Sequence, residues 1–233
     1  MNNIVKLGKI QGKKFVANFL MPKKDQKRLK AIMEILDKEY PNARTALNFS
    51  NPLELLIATI LSAQCTDERV NKVTPDLFKK YKTAKDFAQA DIGELEEDIR
   101  PTGFFKNKAQ NIKKCCTEMV SKHKGNVPNN LEDMIALSGV GRKTANMVLG
   151  NAFGIPGIVV DTHVSRVAHR IGLTKNKDAY KIELDLMDLI PKDKWIDFCH
   201  QLILLGRYVC TAKKPQCPRC SIWPHCDFGL KAG

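Results

Sequence analysis

Apolar residues recur along most of the chain at the three- and four-residue spacings of amphipathic helices. Leu29, Ile32, Met33, Leu36 and Tyr40 form one such stripe, and Pro41 closes it. Asn51-Pro52 places a capping side chain before a proline at the first helical position, so a helix should open there and run to about Gln64. Thr66 can cap the next helix, and Thr74-Pro75 is expected to restart it, giving two short helices to about Tyr81. The same period predicts helices at 84–89, 92–99, 106–123, 131–137, 142–153, 162–171, 178–190 and 193–207. Strand character is confined to Ile158-Val159-Val160, which is too short to build a sheet. The expected fold class is therefore all-α. The last 24 residues lose the period and gain cysteine and proline, as a metal-organised loop would.

Composition narrows the function. With 233 residues and 43% hydrophobic side chains the chain can bury a sizeable core, which excludes a largely disordered protein and suits one large or two small domains. It has no apolar run of about 18 residues, so no membrane span is expected. No signal-peptide pattern opens it, so a cytoplasmic, reducing location is expected and the eight cysteines read as metal ligands or buried thiols. The net charge of +13 is concentrated at the ends. Residues 1–30 carry nine Lys/Arg and one acid, and residues 207–233 carry five and one. If the ends pack together they form one basic face, suited to a polyanion; a solubilising Lys-rich tail at 1–22 is the plainer alternative.

Residues 131–153, LEDMIALSGVGRKTANMVLGNAF, read as a short helix, a tight turn and a second helix. Gly139 and Gly141 permit backbone closed to other residues and let a phosphate approach the amides at the start of the second helix. Such a clamp holds DNA without reading bases. Lys143 falls in the first turn of that helix, where the dipole and Arg142 disfavour a cation and should lower its pKa. A partly neutral amine there can attack a sugar carbon and form a Schiff base, although a surface lysine paired with phosphate would look the same. Asp161, in IVVDTHVSR, is a natural N-cap; three preceding β-branched residues suggest partial burial, and a buried carboxylate near the amine could stabilise positive charge on a sugar. Cys210, Cys217, Cys220 and Cys226 are spaced C-x6-C-x2-C-x5-C. Four thiolates so close can hold one metal centre, and a single C-x2-C knuckle favours a [4Fe–4S] cluster over zinc. Lys213, Lys214 and Arg219 would then line a basic loop. Cys65, Cys115, Cys116 and Cys199 lack this spacing and read as core thiols.

Together, LSGVGRKTANMVLG, VDTHVSRVAHRIGL with its aspartate eighteen residues after the hairpin lysine, and the cysteine-rich tail resemble the endonuclease III family of DNA repair glycosylases, over about residues 25–228. That resemblance implies the helix–hairpin–helix glycosylase fold. A six-helix barrel at 45–155 would contain the hairpin. An iron–sulfur cluster domain would be built from 23–44 and 156–233, with a DNA-binding cleft between the two and a basic extension at 1–22. It implies Lys143 as Schiff-base nucleophile, Asp161 as catalytic carboxylate and the four cysteines as ligands of a [4Fe–4S] cluster. In LSAQCTD, Gln64 would fill the gap left by an extruded base; in TGFFKNKAQNI, Phe104 would wedge into the duplex, apolar like the leucine of the best-known members. Gly139, Val140, Gly141, Arg142 and Thr144 of the hairpin, with Lys213 and Lys214, would contact DNA. The implied partner is duplex DNA containing damaged pyrimidines or abasic sites, handled by a monomer. A mismatch glycosylase of the same superfamily, a passive DNA-binding hairpin and a cluster-based electron carrier are the rivals. Lys143, Asp161 and the basic surroundings of the cluster argue against them.

Overall fold

A computed structural model describes residues 23–232; the basic extension at 1–22 lies outside the described residues. Among the described residues twelve α-helices run in the order α1 (Lys23–Glu39), α2 (Pro52–Leu61), α3 (Asp67–Lys80), α4 (Ala84–Gln89), α5 (Ile92–Ile99), α6 (Phe105–His123), α7 (Leu131–Ile135), α8 (Arg142–Phe153), α9 (Thr162–Ile171), α10 (Ala179–Leu189), α11 (Trp195–Tyr208) and α12 (Asp227–Ala232). Among the described residues there is no strand, and no helix is long and apolar enough to cross a membrane.

The starts of these helices are written locally. Asn51, Thr66, Thr83, Asp91, Asn130, Asp161 and Asp178 each cap a helix by accepting a hydrogen bond from an amide of its first turn. At Thr83 the cap is reciprocal, because Asp86 returns to the Thr83 N–H at 2.8 Å. One expectation fails. Thr74-Pro75 does not divide the third helix: α3 runs unbroken through Pro75. The proline removes only its own amide from the ladder, while the flanking Val70, Thr74 and Leu77 are buried and hold the helix together. Ile158–Val160, the one stretch with strand character and too short to build a sheet, forms no strand. The Ile158 carbonyl accepts from Asn146 Nδ2 at 2.9 Å, and the Val159 N–H donates to Cys199 Sγ at 3.3 Å. Side chains from α8 and α11 therefore satisfy the polar groups that a neighbouring strand would have taken.

Buried apolar side chains form two clusters. The first, from Leu47 to Leu149, is supplied by α2 to α8 and includes Leu55, Phe87, Ile112 and Val148. Helix α2 is buried at Leu55, Leu56, Ile57, Ala58, Ile60 and Leu61, on nearly every side, and so forms the axis of this unit. The second cluster joins Leu29, Ile32 and Leu36 of α1 to residues of α9, α10 and α11 and to Ile222. The described parts of the chain's two ends do meet: Arg28 Nη1 of α1 donates to the His225 carbonyl at 2.9 Å and pairs with Asp227 at 3.1 Å. Gly150 marks a close approach between α8 and α11, where an added Cβ would lie 3.3 Å from Ile196.

Phe87 has no solvent exposure and stacks on Tyr81 with ring centroids 5.0 Å apart. Phe87→Ala should cost about 3–5 kcal/mol, read as a drop in the urea midpoint at constant slope.

Candidate active site

The hairpin consists of α7, a turn and α8. Gly139 has φ +76°, and a Cβ there would lie 2.8 Å from Asn111 Cβ, so both conformation and space require glycine. Ser138 is tied to Glu118 of α6 through its N–H at 2.7 Å and its hydroxyl at 2.9 Å, which anchors the turn to α6. The Val140 side chain is buried, and its N–H closes the turn on the Leu137 carbonyl. Its amide is therefore already engaged. The helical ladder of α8 begins when the Ala145 N–H meets the Gly141 carbonyl, and no side chain caps the helix at Gly141. The first-turn amides, at Gly141 to Thr144, thus lack intrahelical partners. Open space surrounds Gly141 where a Cβ would stand.

Lys143 is the second residue of α8 and exposed. Asp161 caps α9, with Oδ1 accepting the Val164 N–H at 2.7 Å, and is partly buried. The two side chains line one open cavity of about 270 Å³, together with Arg44, Ser62, His200 and Arg207. Because Oδ1 carries the cap, Oδ2 is the oxygen of Asp161 available for chemistry. Burial lowers the pKa of His200, whose Nε2 meets Asn151 Oδ1 at 2.9 Å, so this ring favours its neutral form.

Arg142 has a different environment from the one its sequence position suggests. Its Nε and Nη2 donate to Glu183 Oε2 and Oε1 at 2.7 and 2.9 Å, and its guanidinium lies 4.8 Å from the Tyr180 ring centre. Glu183, on α10, is only 4% exposed and also accepts from Asn146 Nδ2 at 3.1 Å. The Arg142 charge is thus answered by a carboxylate and is not an unpaired neighbour of Lys143. Sequence reasoning missed both Glu183 and Asn146. The signal was weak: Glu183 sits beside the apolar Ile182 and Leu186 of its helix, and only packing shows it turned inward.

Gln64 and Phe104 are exposed, Phe104 at 63%, and both adopt left-handed backbone, with φ 53° and 49°. Lys213, Lys214 and Arg219 are exposed on the cysteine-rich loop. Cys210, Cys217, Cys220 and Cys226 are all free thiols and line a single small cavity with Pro215, Trp223 and Gly229. Burial pushes the thiol of Cys220 up to about 11. Among the described residues the buried Trp223 Nε1–H has no partner; Trp223 lines the same cavity, and its N–H is a donor suited to sulfur. Cys115, Cys116 and Cys199 are buried elsewhere, while Cys65 is partly exposed.

The architecture and hairpin match a protein-family model described as "HhH-GPD superfamily base excision DNA repair protein" over residues 57–192. That span exceeds half the chain and defines the class. The chain is 52% identical over 198 residues to Endonuclease III of Synechocystis sp., covering 84% of this chain and 90% of that one. It is 42% identical to Endonuclease III of Escherichia coli K12 over 205 residues, with 88% and 97% coverage. A solved "Trapped Endonuclease III-DNA Covalent Intermediate" superposes with a TM-score of 0.84 at 45% identity, covering 89% of this chain and 98% of that one. A thermostable thymine-DNA glycosylase superposes with a TM-score of 0.80 at 26% identity, with 89% and 99% coverage. The chain belongs to the endonuclease III family of this superfamily.

Removing Glu183 would strand Arg142 at the start of α8. Glu183→Ala should lower stability by about 2–3 kcal/mol, less than a fully buried pair because Arg142 retains access to water. Replacing the pair together, Glu183→Leu with Arg142→Met, should recover most of that loss in urea unfolding.

Proposed function

We infer that this protein is a base-excision DNA glycosylase and abasic-site lyase that removes oxidised pyrimidines such as thymine glycol from duplex DNA. The observation that carries the reading is the shared cavity of Lys143 and Asp161 beside an uncapped helix start. Similarity to an endonuclease III trapped covalently on DNA supports it. We further propose that the unit at 45–155 and the unit built from 23–44 and 156–233 act as the two walls of a DNA-binding cleft.

In this reading the free amides at the start of α8, with Gly139, Gly141 and Thr144 around them, hold a backbone phosphate. Lys213 and Lys214 add charge from the cysteine-rich loop. The damaged nucleotide leaves the stack at a cost of a few kcal/mol. Phe104 enters the duplex and Gln64 occupies the vacated position. The unprotonated Lys143 Nζ attacks the sugar C1′, and the C–N bond to the base breaks. Asp161 Oδ2 stabilises positive charge as it develops on the sugar and assists the proton transfers. The Lys143 nitrogen then gives up a proton and the C1′–O4′ bond breaks, O4′ taking a proton as the sugar ring opens; the resulting Schiff base acidifies C2′. Loss of that proton breaks the 3′ C–O bond, and the phosphate leaves as the strand is nicked. The helix cap on Oδ1 fixes the carboxylate through these steps.

The four cysteines would hold a [4Fe–4S] cluster, which supplies a rigid support for the loop bearing Lys213 and Lys214. Purified protein should then be brown and carry about four irons per chain, and Cys220→Ser should lose both colour and iron. A colourless protein with stoichiometric zinc would reject the cluster.

Incubation with a thymine-glycol duplex and borohydride should yield a covalent protein–DNA complex. Lys143→Ala should abolish it, and Asp161→Asn should slow turnover about a hundredfold or more while DNA affinity stays within a few-fold. Absence of both trapping and nicking by the wild-type holoprotein would move a mismatch glycosylase or a passive DNA-binding protein to the front.

A further inference from the structure

Lys108 is a buried cation that the chemistry above does not use. It lies on α6, is 4% exposed, and shares a face with Ile112, Cys115 and Met119, the apolar stripe of that helix. Burial lowers its pKa. Its Nζ donates at 2.8 Å to the carbonyl of Leu61 and at 2.8 Å to that of Thr102. These carbonyls belong to different parts of the chain. Leu61 is the last residue of α2, three residues before Gln64, and Thr102 ends a short 3₁₀ turn two residues before Phe104.

Both loops are strained where they project. Gln64 and Phe104 are two of the three non-glycine residues with positive φ among the described residues, a conformation that L side chains adopt only at a cost. The remaining hydrogen bonds around each projection are local, such as Cys65 N–H to Ser62 O and Gly103 N–H to Arg100 O. The Lys108 ammonium joins one loop to the other. A cation suits the place, since the carbonyl end of α2 is the negative pole of its dipole. An apolar residue would leave two buried carbonyls unpaired.

We propose that Lys108 is a positioning residue for base extrusion: its buried ammonium fixes the separation of the loops that carry Gln64 and Phe104. This rests on the reading of those two side chains as plug and wedge. A pure stability role would impair every step alike. A positioning role for extrusion impairs removal of an intact lesion base far more than cleavage at an abasic site, where no base has to leave the stack.

The test compares single-turnover rates of holoprotein on a thymine-glycol duplex and on a preformed abasic duplex, for wild type and Lys108→Met. Excision should fall about tenfold or more, in line with the cost of small misplacements. Nicking of the abasic strand should change less than about threefold, because a missing base is the cheapest to extrude. 2-Aminopurine opposite the lesion should brighten on binding of wild type and stay dim with the variant. Phe104→Ala added to Lys108→Met should cause no further loss of excision, since both act on one step. If methionine prevents folding, Lys108→Gln keeps a donor that reaches one carbonyl, and the same two rates are compared. Equal losses on both substrates, or no loss on either, would overturn the proposal. A wild-type protein that fails to nick the abasic duplex would instead mark failure of the Lys143 assignment.

Discussion

The buried carboxylate of Glu183 links the two halves of the molecule. It comes from α10, in the second core, and accepts hydrogen bonds from Arg142 and Asn146 of α8, in the first. Asn146 also holds the carbonyl of Ile158, three residues before Asp161. A charge that far from water must be paired, and bidentate guanidinium contact leaves little freedom in how the partners approach. One ion pair thereby orients the helix start that bears Lys143 against the segment that delivers Asp161. Hydrophobic contact alone would not set that angle, because apolar surfaces slide at little cost compared with a bidentate pair. The close approach of α8 and α11 at Gly150 reinforces the same interface.

The molecule places polar chemistry on rigid elements and exposed contacts on strained loops. Lys143 and Asp161 both occupy helix starts, where backbone amides and caps define direction. Gln64 and Phe104 occupy left-handed positions between helices whose inner faces are fully packed. Such backbone persists only where its surroundings over-determine it. The buried ammonium of Lys108 and the apolar faces of α2 and α6 are those surroundings.

The cysteine-rich loop follows a different logic. It has little apolar surface of its own to bury, apart from Ile222 and the packing of Trp223 against Gly229. Arg170 of α9 supports it by donating to the carbonyls of Thr211 and Ala212 and to Cys210 Sγ, and Arg28 of α1 holds the far end. A segment with so small a core needs a bound group or many hydrogen bonds to keep one shape, and this one has four thiols around a common cavity.

The helical fold class and the position of most helices were legible in the sequence, because they depend on near neighbours. Caps reach three residues ahead, the apolar period repeats within a turn or two, and the glycine of the hairpin turn answers a local conformational demand. The spacing of the four cysteines was legible for the same reason. Tertiary packing decided the rest. Pro75 was read as a break because local rules price its missing amide without seeing the buried contacts that keep α3 whole. Ile158–Val160 was read as the one hint of strand because its partners, Asn146 and Cys199, lie 12 and 40 residues away. The carboxylate that pairs with Arg142 lies 41 residues away, so the local sequence shows the arginine only as a cation beside Lys143. Lys108 could have been noticed as a charge on the stripe shared with Ile112, Cys115 and Met119, yet nothing local names the two carbonyls it joins. Periodicity and caps are short-range and therefore written in the chain. The pairing of a buried charge is settled only when distant segments meet, since desolvation leaves each such group dependent on whatever partner the fold brings to it.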